Sequence, residues 1–163
     1  MDKIREEKHR VRFGPDRGAF STFPFFRAAP RSNCFWCTPT TGSADLDFEL
    51  GRLYAMAFLK QMREERSGKV EKPLSGDEFL DLSCILDSMI RAGDRDNDFV
   101  NAFAFDLERY LAHAVRPESG WADISAELDG RRWKWFEAEA TRIWKAAPLG
   151  MVPHEGCCAA SAK

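Results

Sequence analysis

The sequence predicts an all-α protein, a four- or five-helix bundle or orthogonal helix array behind an irregular N-terminal arm. Three observations carry this expectation. Apolar residues recur at helical spacing in several segments between residues 44 and 147. No alternation of apolar and polar residues runs long enough to read as a strand. A composition of 44% hydrophobic and 31% charged residues supplies both a core and a solvated surface. At 163 residues the chain suits a single core. It divides into an arm at 1–43, a helical domain at 44–147 and a tail at 148–163 that reads as flexible.

The arm is set apart by its breakers. Prolines at 15, 24, 30 and 39 with Gly14, Gly18 and Gly42 exclude a continuous helix. Yet the same stretch holds Phe13, Phe20, Phe23, Phe25, Phe26, Phe35 and Trp36, whereas disordered segments are poor in aromatics. The arm is therefore expected to pack on something. Residues 1–33 carry eight Lys/Arg against four Asp/Glu, a balance of +4 in a chain whose net charge is −2. A basic arm beside an acidic body can dock on that body or bind an anionic partner, and self-docking is the expectation.

The first helix is expected from an N-cap at Ser43, with Asp45 and Asp47 in the opening turn, through Arg66, closed by Ser67-Gly68. Its main apolar face is Leu46, Leu50, Leu53, Tyr54, Ala57 and Phe58. Phe48, Ala55, Met56, Leu59 and Met62 extend the apolar surface around most of the circumference. The second helix, from about 76 to 92, opens with a capping-box pattern at Ser75 and Glu78. Its predicted core face is Phe79, Leu82, Ile85, Leu86, Met89 and Ile90, ahead of a stop at Gly93.

The third helix follows the acids from Asp94 to Asp98 and runs to Val115, before Arg116-Pro117. Its stripe is Phe99, Val100, Phe103, Leu107, Tyr110, Leu111 and Ala114, widened by Ala102, Ala104, Phe105 and Ala112. A short fourth helix around 122–128 and a fifth from about Arg131 to Ala147 complete the body, which is expected to centre on the first and third helices. Their breadth of apolar surface calls for the arm, or a second copy of the chain, to cover them.

No motif here fixes a chemistry. Asp94, Asp96 and Asp98 alternate as at the start of a calcium loop, but Phe99 replaces the turn glycine and Phe105 the bidentate glutamate, which rejects that reading. Cys34 and Cys37 stand at the spacing at which two thiolates reach one zinc ion. His154 and Cys157, with Cys158 beside them, could complete the ligand set from the tail. The favoured alternative is a buried Cys pair and a floppy thiol-bearing tail, so no cofactor is expected. Cys84, on the second helix, reads as a small core residue. His9 and His113 show no acid or nucleophile partner by spacing, and enzymatic activity is not expected.

The run Arg131-Arg132-Trp133-Lys134-Trp135 places three cations in the opening turn of the fifth helix, where the dipole favours acids. Either an anionic partner or internal pairing with Glu127, Asp129 or other acids compensates, and internal pairing is the favoured account. Helical spacing puts Trp133, Phe136, Ala140, Ile143, Trp144 and Ala147 on the core side. Trp135 falls on the opposite side with Glu139 and Arg142, where exposure is expected. Trp and Arg are enriched in binding hot spots, so Trp135, Arg131, Arg132, Lys134 and Arg142 form the predicted partner surface.

A non-enzymatic interaction or regulatory protein is the leading functional reading, with a protein partner and self-association both open. Nucleic-acid binding through the basic arm is the alternative, disfavoured by the acidic start of the third helix. An enzyme without a recognisable motif is the residual case. The N-terminus lacks a signal-peptide pattern and no apolar run is long enough to span a bilayer, so a cytoplasmic location and no membrane partner are expected.

Overall fold

The computed structural model describes residue 36 and residues 40–66, 82–92, 98–115 and 126–148, and among these every regular element is a helix. In chain order they are α1 (Ala44–Arg66), α2 (Leu82–Ala92), α3 (Asp98–Ala114), α4 (126–130) and α5 (Trp133–Ala146). The all-α expectation is met. The fourth helix is observed at 126–130, the fifth starts two residues later than expected, and residues 76–81 lie outside the described part.

The entry to α1 is fixed by its own first turn. Asp47 accepts from the Thr40 hydroxyl and from the Thr41 backbone N–H, each at 2.7 Å. Its charge also suits the helix N-terminus. Gly42, at φ +82°, turns the chain between these threonines and the helix in a conformation that favours glycine. Upstream, Trp36 of the arm is fully buried, edge-on to Phe99 at 5.2 Å and to Phe103 at 5.1 Å. At this residue, the arm is part of the core.

α1 is the hub. Leu50, Leu53, Tyr54, Ala55, Ala57 and Phe58 are buried on it, and so are the polar Lys60 and Gln61. α3 lies against one side and α5 against another. The α1–α3 approach depends on Gly51, where a Cβ would overlap the Phe99 carbonyl oxygen and stand 2.9 Å from Ala102 Cβ. Across this contact Tyr54 meets Phe99 edge-on at 5.1 Å and Phe58 meets Phe103 at 6.0 Å. Rings in such pairs stabilise by about 0.5–1.5 kcal/mol beyond their area burial.

Buried polar groups set the register between elements. Arg52 of α1 donates to Asp106 of α3 at 3.2 Å, and Asp106 is only 1% exposed. Lys60 donates to the Leu128 carbonyl of α4 at 3.0 Å and pairs with Glu64 at 2.9 Å. Glu64 in turn accepts from the Trp133 indole N–H at 2.9 Å. Arg63 to Asp129 at 2.7 Å adds a further tie between α1 and the end of α4. Lys60 thus anchors the turn that leads into α5, because a buried carbonyl left without a donor costs about 1–3 kcal/mol.

Two expectations about packing need correction. On α2, Ile85 and Met89 are buried and Leu82 is half-buried, but Leu86 and Ile90 are exposed. The helix seats a narrow i, i+4 stripe, and the two residues one position further on are rotated about 100° out of it. α3 packs along α1, as expected of the central pair, and buries Phe99, Ala102, Phe103, Asp106, Leu107 and Tyr110 on one side. The correction on this helix is to its width: Val100 packs half-buried on the core, but Leu111 of the expected stripe and Phe105 beside it are exposed.

Candidate functional site

The cations chosen from sequence at the start of α5 are partly consumed inside the molecule. Arg131 pairs with Glu127 at 3.7 Å, and its guanidinium lies 4.0 Å from the centre of the Trp135 ring. Trp135 meets Phe136 edge-on at 5.0 Å and packs on the core, so it is half-buried and not exposed as its helical position suggested. The reason is local. Arg131, four residues earlier, covers the ring from the preceding turn, as side chains on a helix lean toward its N-terminus.

Arg142 reaches Glu139 on its own helix at 2.9 Å and Glu49 on α1, and these carboxylates raise its already high pKa. It is a brace between α1 and α5. Arg132 at the N-cap makes no side-chain cap, and it and Lys134 stand exposed with no ion pair among the described residues. Two of the five predicted contact residues thus remain available as surface cations.

The proposed zinc ligands Cys34, Cys37, His154 and Cys157 lie outside the described residues. So do Cys158, His9 and the side chain of Cys84. Among the described residues no group of three His, Cys, Asp or Glu side chains could hold a metal ion. His113 sits half-buried in the last turn of α3, where a cation suits the helix dipole.

The surface that stands out is the outer side of α3. At 100° per residue, Ala104, Glu108, Leu111 and Val115 line one side, with Asn101, Ala112 and Phe105 along its border. Val115 follows the last helical residue, yet its N–H still donates to the Leu111 carbonyl at 3.1 Å, which keeps it on this side. Phe105 is 57% exposed, Leu111 60% and Val115 79%. Together these three expose on the order of a few hundred Å² of apolar surface, the scale of the largest and often functional patch on an ordinary monomer.

The charges bordering this patch are unevenly distributed. Arg109 is turned to the inner side, 3.5 Å from Asp106, with its guanidinium 5.2 Å from the centre of the Tyr110 ring. Glu108 stands exposed amid the apolar residues, with no cation against it among the described residues. Asp98 adds a second exposed acid at the start of the helix. The sequence signal for this surface was present in the excess of apolar positions on the third helix. Spacing alone does not say which of those positions the fold leaves open.

Compared with known protein families, with curated proteins and with solved structures, the chain matches none. Among the described residues, no helix is long and apolar enough to cross a membrane.

Proposed function

We propose that this is a non-enzymatic protein-interaction or regulatory protein whose partner docks on the outer side of α3. One observation carries the reading: Phe105, Leu111 and Val115 stay exposed on a helix whose opposite side is closely packed core. Exposed apolar surface of this size is costly to keep in water, roughly 25 cal/mol per Å², and a partner that covers it recovers that free energy. Arg132 and Lys134 on α5 are secondary candidates, because lone surface cations contribute little to binding.

A photo-reactive amino acid placed in turn at Leu111 and at Lys134, in the native host, tests the reading. The account expects a discrete protein adduct from position 111 and little from position 134. No adduct at 111, or the same adduct pattern at both positions, refutes docking on α3.

A further inference from the structure

We draw no further inference here: the strongest candidate, the exposed apolar patch of Phe105, Leu111 and Val115 on the outer side of α3, belongs to the surface already described, and nothing in the structure shows what covers it.

Discussion

The chain has two tyrosines, and both are buried: Tyr54 is 2% exposed and Tyr110 4%. Burial raises the Tyr54 phenol well above its ordinary range, against a smaller opposing effect of its hydrogen bond with Trp144. Tyr110 is raised by burial first and by the negative charge of Glu127 next. A phenol whose pKa is raised in the fold holds its proton more tightly there than in the unfolded chain. The stability this contributes is complete below about pH 10, the ordinary phenol value, and is lost as pH climbs above it. Tyrosinate absorbance should therefore stay absent through pH 10 and rise only together with the loss of helical circular dichroism. Titration of both tyrosines near their ordinary value with the helices intact would contradict their burial. Other residue-level features were hidden from sequence for a common reason. The burial of Lys60, the close approach at Gly51 and the cover of Arg131 over Trp135 all depend on neighbours that linear spacing does not supply.

The helices themselves were legible because their boundaries are chemical. Asp47 near the N-cap opens α1, and the residue before Pro117 lies just beyond the end of α3, whereas the expected stop at Ser67-Gly68 lies outside the described residues. Which face of each helix is buried was less legible, because apolar residues exceed the space that neighbours provide. α2 shows this at Leu86 and Ile90, and α3 at Phe105 and Leu111. The arm illustrates the converse, since its aromatic content foretold packing and Trp36 fulfils it between Phe99 and Phe103. Trp36→Ala should cost on the order of 3–5 kcal/mol by opening a cavity beside α3. Phe105→Ala on the same helix should change stability by no more than about 0.5 kcal/mol. Urea denaturation of the two variants checks the contrast, and equal losses would show that the two sides of α3 had been wrongly assigned.

At the scale of the molecule, α1 gathers α3, α5, Trp36 of the arm and the α4 turn around itself, through aromatic contacts and the anchors at Asp47, Asp106 and Lys60. Among the described residues α3 is packed on one side only, and the account gives its two sides different work. Phe99, Phe103 and Leu107 are buried in the core, while Phe105, Leu111 and Val115 stay exposed, the side on which the proposed partner docks. The most direct test is the melting temperature of the Leu111→Arg/Val115→Arg double variant beside that of Phe103→Ala. For a chain of this size each kcal/mol moves the midpoint by about 2–4 °C. The account predicts a double variant within about 2 °C of the unaltered protein and a Phe103→Ala variant lowered by about 6 °C or more. A double variant that melts as early as Phe103→Ala would mean that the outer side of α3 belongs to the fold, and the docking account would be wrong.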